Sequence, residues 1–189
     1  MNVLLHACCG PCLIEPLDAL VAQHEVAVVY ANPNIHPRAE YELRRDTLLT
    51  YARELGLSVT ELPYDPVRWI TEVETVADDP QLRCDACWSL RLSMTAALAA
   101  EQGFDAIATT LTVSPYQDPK GVREAGMRAA AAAGIVYLDH DFRELYPRAT
   151  IRSREAGMYR QNYCGCLFSK AEAEAQRLAR RETRKAARG

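Results

Sequence analysis

The sequence lacks three features: a long apolar run, a strong net charge and a common nucleotide-binding loop. No stretch without Asp, Glu, Lys or Arg exceeds fourteen residues, whereas a transmembrane helix needs about 20 apolar residues. The net charge of −3 excludes a uniformly basic nucleic-acid binder, although it permits a local basic patch. Neither a GxGxxG nor a GxxxxGK loop occurs, so nothing in the sequence supports binding of a nucleotide cofactor.

Cysteine is the residue type that stands out. The N-terminal segment MNVLLHACCGPC has no basic residues ahead of its apolar ones, unlike a secretory signal. We therefore expect a cytoplasmic, reducing compartment, and the odd cysteine count also argues against a disulfide framework. Clustered thiols predict metal or redox chemistry, whereas inert buried cysteines would be scattered. The seven cysteines form three groups: Cys8, Cys9 and Cys12; Cys84 and Cys87; Cys164 and Cys166.

The spacing of these cysteines leaves several kinds of centre open. The CxxC pair at 84 and 87 is by itself compatible with zinc, an iron–sulfur cluster or a thioredoxin-like dithiol. Four-cysteine zinc sites usually carry two similar CxxC pairs, whereas this chain has CCxxC, CxxC and CxC. Soft thiolates in this number favour iron–sulfur over zinc. Gly165 between Cys164 and Cys166 permits either a redox-labile disulfide between the two cysteines or their use as a second pair of metal ligands.

Apolar β-branched runs alternate with helical patterns along the chain, which predicts an α/β fold: an open parallel sheet with helices on both faces. We expect one domain over residues 1–168, followed by a charged C-terminal helix or tail over 169–189. The predicted strands are 3–5, 26–30, 58–62, 106–110 and 135–138, and the predicted helices are 15–23, 38–55, 85–102 and 121–133.

Unusual polar segments occur near the ends of four predicted strands. In an open parallel sheet, ligands bind beyond the carboxyl ends of the strands, so we expect these segments to converge on one rim. His6 is predicted to be a core or supporting residue, because thiols already suffice as ligands. The basic stretch 177–189 is typical either of a solvated tail or of a nucleic-acid contact. The four segments are HACCGPC, ANPNIHP, TTLTVSPYQ and DHDFRELY.

These motifs resemble those of the QueH-type epoxyqueuosine reductases, a cobalamin-independent family. The matching pieces are HACCGPC, YANPNIHPRAEYELRR, CDACWSLRL, GFDAIATTLTVSPYQ, DFRELY and GMYRQNYCGC, in order from His6 to Cys166. The resemblance implies a fold similar to PP-loop nucleotide-binding domains. HACCGPC stands in place of their SGGxDS loop, so ATP use is not expected. It also implies an oxidoreductase that removes the epoxide oxygen of epoxyqueuosine at the tRNA wobble position, the last step of queuosine biosynthesis.

The resemblance also implies roles for the cysteines. It assigns Cys8, Cys9, Cys84 and Cys87 to a 4Fe-4S cluster, and the pair Cys164 and Cys166 to a redox-active dithiol. A competing picture of the family adds an adjacent mononuclear iron, which draws the remaining thiols into metal binding. Cys12 stands where some members carry aspartate, and it is a candidate ligand of that iron.

Deoxygenation of an epoxide needs two electrons and two protons, so we expect a redox cofactor and an unidentified electron donor. Two alternatives remain: a zinc-stabilised RNA-binding module without catalysis, and a protein thiol oxidoreductase. Predicted substrate contacts are Asn32, Asn34, Tyr116 and Gln117 for the base or ring diol, Arg44, Arg143 and Arg160 for phosphates, and Tyr159 for stacking, with Asp141 or Tyr116 as proton donor.

Overall fold

The computed structural model describes residues 1–186, and it confirms the predicted α/β class. Five parallel strands form one sheet in the order β3-β2-β1-β4-β5, with helices on both faces and a C-terminal helix. The strands are β1 (Asn2–His6), β2 (Glu25–Tyr30), β3 (Val59–Glu61), β4 (Ala106–Thr109) and β5 (Val136–Tyr137). The helices are α1 (Gly10–Val21), α2 (Arg38–Glu54), α3 (Pro66–Glu74), α4 (Pro80–Glu101), α5 (Pro119–Ala133), α6 (Tyr146–Glu155) and α7 (Leu167–Ala186).

The central strand β1 contributes to two separate hydrophobic layers, because its side chains alternate between the faces of the sheet. Val3 and Leu5 pack with apolar residues of α1 and α2. Leu4 packs on the opposite face with apolar residues of α4 and α5. Burial on both faces explains the unbroken apolar run of β1, which is typical of parallel sheets.

Two helices begin five residues earlier than predicted. The first starts at Gly10 rather than at residue 15, so that Cys9 becomes its N-cap residue and Cys12 lies in its first turn. The helix α4 starts at Pro80 rather than at residue 85. There the Asp79 carboxylate accepts hydrogen bonds from two backbone N–H groups of the first turn, at 2.9 and 3.1 Å, which satisfies donors that a helix start leaves free.

Two further helices, α3 and α6, are not predicted by the sequence pattern. The first begins at Pro66, directly after the capping residue Asp65, whose carboxylate accepts from the Arg68 N–H at 3.0 Å. A proline in this position suggests a break in the chain, yet proline is well tolerated in the first turn of a helix. The second, α6, packs against α1.

The predicted charged C-terminal element is helical over Leu167–Ala186, and the remainder of the predicted tail, residues 187–189, lies outside the described residues. Among residues 1–186, no helix combines the length and the apolar character needed to cross a bilayer.

The register of the sheet brings the predicted rim segments together. His6 at the end of β1 pairs with Val29 of β2 on one side and with Thr109 of β4 on the other. Chain connections leave β1 and β4 in opposite directions, which makes this point the topological switch of the sheet. Ligands of open α/β sheets bind in the crevice at such a switch, and the first cysteine group follows β1 directly.

Candidate metal centre

Three thiols meet at the switch point of the sheet. The sulfurs of Cys8, Cys9 and Cys12 all lie within 4.8 Å of one another, and those of Cys8 and Cys9 are 3.8 Å apart. The adjacent cysteines can face the same space because Cys9 is extended, with φ −174° and ψ 168°, immediately before α1 begins. Three soft ligands in this arrangement could bind a metal ion.

The three thiols and their surroundings favour one thiolate, at Cys8. Hydrogen bonds from Cys12 and Cys9 hold the pKa of Cys8 well below its usual range, helped by Arg91 and Thr110, although burial opposes this. The hydrogen bonds that Cys12 makes to Cys8 and Cys9 raise the pKa of Cys12 itself. The N-terminus of α1 also favours negative charge here. The site is therefore built to stabilise anionic sulfur.

Buried polar groups surround this thiol group. The pKa of His6 falls to about 3 because burial and then Arg91 disfavour its charged form. Its ring nitrogens lie 2.9 Å from Thr109 Oγ1 and 3.3 Å from the Ala31 carbonyl. His6 thus acts as a neutral core residue, which confirms the prediction for it. Arg91 donates from Nη2 to Asn32 Oδ1 at 2.5 Å.

The other four cysteines form a second neighbourhood. Cys84 and Cys87 lie one turn apart on α4, and Cys166 packs with Cys87 beside Trp69. Burial, together with negative charge on Cys87 and Cys166, raises the pKa of Cys84 to about 11 and that of Cys164 to about 12. The four thiols therefore sense one another electrostatically. Arg91 favours the thiolates of both Cys8 and Cys87, so it lies between the two groups.

The backbone of the CxC segment is held by a buried arginine. Arg44 is 1% exposed and donates from Nη1 to the Cys164 carbonyl at 2.7 Å and from Nη2 to the Tyr163 carbonyl at 3.1 Å. Gly165 adopts φ +142°, and its carbonyl accepts from the His36 N–H at 2.8 Å. Arg44 thus positions the CxC segment, in place of the phosphate contact predicted for it.

Two glutamines connect the cysteines to their surroundings. Gln117 donates to Cys164 Sγ at 3.2 Å and accepts from Trp88 Nε1 at 2.8 Å. Gln161 donates to Cys9 Sγ at 3.0 Å. Amide N–H groups directed at sulfur stabilise thiolates and the negative charge of sulfur-rich centres.

Several predicted substrate contacts are engaged inside the protein. Asn32 is 2% exposed, donates to the Ala7 carbonyl and accepts from Arg91. Arg160 donates to Thr150 and Ser153, and Tyr159 donates to Glu40 Oε2 at 2.7 Å. These side chains stabilise the rim from within, where sequence alone suggested contacts with a nucleotide.

The predicted proton donor Asp141 is a surface ion-pair partner. Its carboxylate accepts from Arg143 Nε and Nη2 at 2.9 and 2.6 Å. The Arg143 guanidinium lowers the pKa of Asp141, so the carboxyl is ionised at neutral pH and has no proton to give. The partner in this pair, Arg143, was predicted to hold phosphate, and 45% of its side chain remains exposed.

The side chains of two other predicted contacts make no hydrogen bonds to the described residues. Tyr116 is 84% exposed. Asn34 is 1% exposed, and neither polar atom of its side chain has a partner. Its Nδ2 would lie 3.3 Å from a Cβ placed on Gly165, so the free amide lies beside the CxC segment.

Sequence reasoning left out Trp69, Arg91 and Gln161 as site residues, although all three contact or face cysteines. Trp69 lies on α3, a helix that was not predicted. Arg91 could have been found, because it follows Cys84 and Cys87 at spacings of seven and four residues and shares their helix face. No local signal directs Gln161 towards Cys9, since they are 152 residues apart.

Comparisons with known proteins identify the family of this chain. The family model described as "Epoxyqueuosine reductase QueH" matches residues 3–172, a range that includes all seven cysteines. A curated protein of that name from Thermotoga maritima is 34% identical over 178 residues, covering 90% of this chain and 91% of that protein. Another from Staphylococcus aureus is 33% identical over 180 residues, covering 89% of this chain and 75% of that protein. The chain therefore belongs to the QueH family of epoxyqueuosine reductases.

Proposed function

We propose that this protein reductively removes the epoxide oxygen of epoxyqueuosine at the wobble position of tRNA and leaves queuosine. The observation that carries the proposal is the group of three thiols at the sheet switch point, in a chain of this family. Both carbon–oxygen bonds of the epoxide break, two electrons and two protons are taken up, and the oxygen leaves as water. The ring regains its carbon–carbon double bond.

We propose an iron–sulfur cluster of the 4Fe-4S type as cofactor, and the donor set fits such a group. Thiolates are the ligands that iron–sulfur clusters use, and the surrounding amides and buried guanidinium suit an anionic centre. When bound, the cluster supplies electrons one at a time. The resemblance assigns Cys8, Cys9, Cys84 and Cys87 as its ligands. The close grouping of Cys12 with the first two makes Cys12 the competing ligand, either of the cluster or of an adjacent iron.

Cys164 and Cys166 are proposed as the dithiol that provides the electron pair. Oxidation of two thiols to a disulfide releases two electrons and two protons, which balances the deoxygenation. Cys164 is exposed and Cys166 is partly buried, and both lie on the loop that Arg44 holds. An external electron donor must then reduce the disulfide for the next turnover.

The C-terminal helix α7 offers a surface for the phosphates of the tRNA. It starts one residue after Cys166, and every side chain from Glu174 to Lys185 is exposed. At 100° per residue, five basic residues fall within an arc of about 140°, and none of the ion pairs among residues 1–186 involves them. An isolated helical segment no longer than about 12–15 residues is marginal in water, so contact with a polyanion would stabilise the exposed part of α7 from Glu174 to Lys185. The five residues are Arg177, Arg180, Arg181, Arg184 and Lys185.

The central experiment measures iron, acid-labile sulfide and turnover of epoxyqueuosine-containing tRNA in anaerobically prepared protein. Wild type should contain at least four irons with matching sulfide and should form queuosine. Cys84→Ser and Cys12→Ser separate the two ligand assignments, because serine is a poor ligand for soft metals. Loss of the whole cluster in Cys84→Ser but not in Cys12→Ser supports the resemblance-based set. An active, colourless protein that contains only zinc would refute the iron–sulfur proposal.

The tRNA contact is tested by the salt dependence of binding. Replacing Arg180 and Arg184 together with Gln should weaken binding and reduce the slope of log K against log salt by roughly 0.7–0.9 for each phosphate that is no longer neutralised. Arg53→Gln is the control, since Arg53 is exposed at the end of α2, a helix that ends at the amino ends of the parallel strands. An unchanged slope in the double variant would assign the phosphate contacts to other residues.

A further inference from the structure

Among residues 1–186, six buried side-chain polar atoms have no hydrogen-bond partner, and they occur in two kinds of place. His24 and Tyr137 each hold one, and these residues lie outside the cysteine groups. The other four atoms belong to Asn34, Trp69 and Arg91, which border the cysteines. A buried donor without a partner is costly, so a concentration of such atoms beside a proposed cofactor site calls for an acceptor.

Trp69 presents one of these donors to the second thiol neighbourhood. It is 2% exposed and packs in a small apolar cluster with Cys87 and Cys166. Its indole N–H is buried and has no hydrogen-bond partner among the described residues. An unused donor therefore lies in the same cluster as the two sulfurs.

Arg91 presents the second donor on the same side. It is 2% exposed, and no ion pair among residues 1–186 includes it, in contrast to the buried Arg44, which pairs with Glu40. Its Nη2 is used by Asn32, whereas its Nε has no partner. A buried guanidinium without a carboxylate needs another anion, and the anions that the site provides are sulfurs.

We propose that Trp69 Nε1 and Arg91 Nε are hydrogen-bond donors to the sulfur atoms of the metal centre and that they raise its reduction potential. The inference rests on the proposed iron–sulfur cofactor and concerns how this chain tunes it. N–H donors stabilise the additional negative charge of the reduced centre more than that of the oxidised centre, so they favour reduction. Trp69 and Arg91 act through the centre and are positioning residues.

The test uses anaerobically reconstituted protein and the variant Trp69→Phe, which keeps an aromatic ring in the apolar cluster and removes the N–H. Tyr137→Phe is the matched control, because it removes a buried, partnerless hydroxyl outside the cysteine groups. The readouts are iron and sulfide content, the midpoint potential, and the shift of the Fe–S stretching frequencies when the protein is exchanged into D₂O. Arg91→Lys retains the positive charge and removes Nε.

We expect Trp69→Phe to retain its iron and sulfide, to have a more negative midpoint potential and to lose part of the D₂O shift. Arg91→Lys should also lower the potential, and Tyr137→Phe should match wild type in all three readouts. A wild-type potential and D₂O shift in Trp69→Phe would overturn the inference while leaving the proposed function intact, as would loss of the cluster in that variant. A wild-type protein that binds no iron–sulfur cluster would instead refute the proposed cofactor.

Discussion

Because Arg44 holds the CxC segment by hydrogen bonds, we predict that Arg44→Lys loosens the loop formed by this segment without unfolding the domain. The guanidinium donates to two carbonyls of the segment, at 2.7 and 3.1 Å, and from Nε to Glu40 Oε1 at 2.7 Å. A lysine side chain donates from one nitrogen at the end of a flexible chain, so it cannot donate to both backbone carbonyls and to the Glu40 carboxylate at once.

The size of the effect follows from the number of hydrogen bonds. A hydrogen bond to a charged group contributes about 1.5–3 kcal/mol. If lysine keeps one of the two carbonyl contacts and loses the other, the closed state of the loop is destabilised by about 2 kcal/mol. This free energy corresponds to a roughly 30-fold larger population of the open loop. Two other contacts remain, because the His36 N–H still donates to the Gly165 carbonyl and Tyr163 Oη still donates to the His36 carbonyl. The effect is therefore local.

Amide hydrogen exchange at His36 measures this opening, since that N–H is bonded to the loop. Exchange should be roughly 30-fold faster in Arg44→Lys, and turnover should fall because Cys164 and Cys166 are no longer held in place. The neighbouring variant Arg45→Lys is the control, as Arg45 pairs only with Asp46 and Glu61 at the surface. Equal exchange rates in the two variants would show that the arginine does not hold the segment.

Three further predictions concern single residues. Gly165→Ala should impair turnover strongly, since Gly165 has a φ of +142° and the new Cβ would lie 3.1 Å from a nitrogen of the buried Arg44 guanidinium. Gly157→Ala is the control and should retain turnover, because there is free space around Gly157. Equal turnover in the two variants would show that the CxC segment has no part in the mechanism. Asp141→Asn should leave turnover within about twofold of wild type at neutral pH, because an ionised carboxyl donates no proton; a decrease of about 100-fold or more would restore it as the catalytic acid. Glu15 has no exposed side chain, and two arginines outweigh the burial that raises its pKa and hold that pKa below 4.5. Its contribution to stability is therefore present above pH 4.5 and disappears as the pH falls below that value. Glu15→Gln should lower the melting temperature at pH 7, and this effect should shrink as the pH falls below 4.5. An effect that does not change with pH would refute the ion-pair explanation.

The sheet could be predicted from the sequence because its strands are buried on both faces. Such strands appear in the sequence as short apolar runs between helical patterns. The predicted strands overlap all five strands of the structure. The position of the first cysteine group followed from the same topology, since the carboxyl ends of parallel strands share one edge. The two helices that the pattern does not predict, α3 and α6, begin with a proline near the first position, a residue that ends helices elsewhere but is favoured there.

The roles of the arginines were harder to predict, because charge at a rim suggests phosphate contacts. Arg44 and Arg91 are instead among the largest fully buried side chains, and thiolates at Cys8 or Cys9 are among the charges that favour the cationic form of Arg44. Burying a guanidinium is costly without an anion, and this chain places both beside clustered thiols. Glu40 supplies one such anion for Arg44, and we propose the sulfur site as the anion for Arg91 and the exposed basic residues of α7 as the contacts for RNA phosphates. These proposals divide two tasks between the cations of one small protein: the buried ones would stabilise negative sulfur, and the exposed ones would bind phosphate.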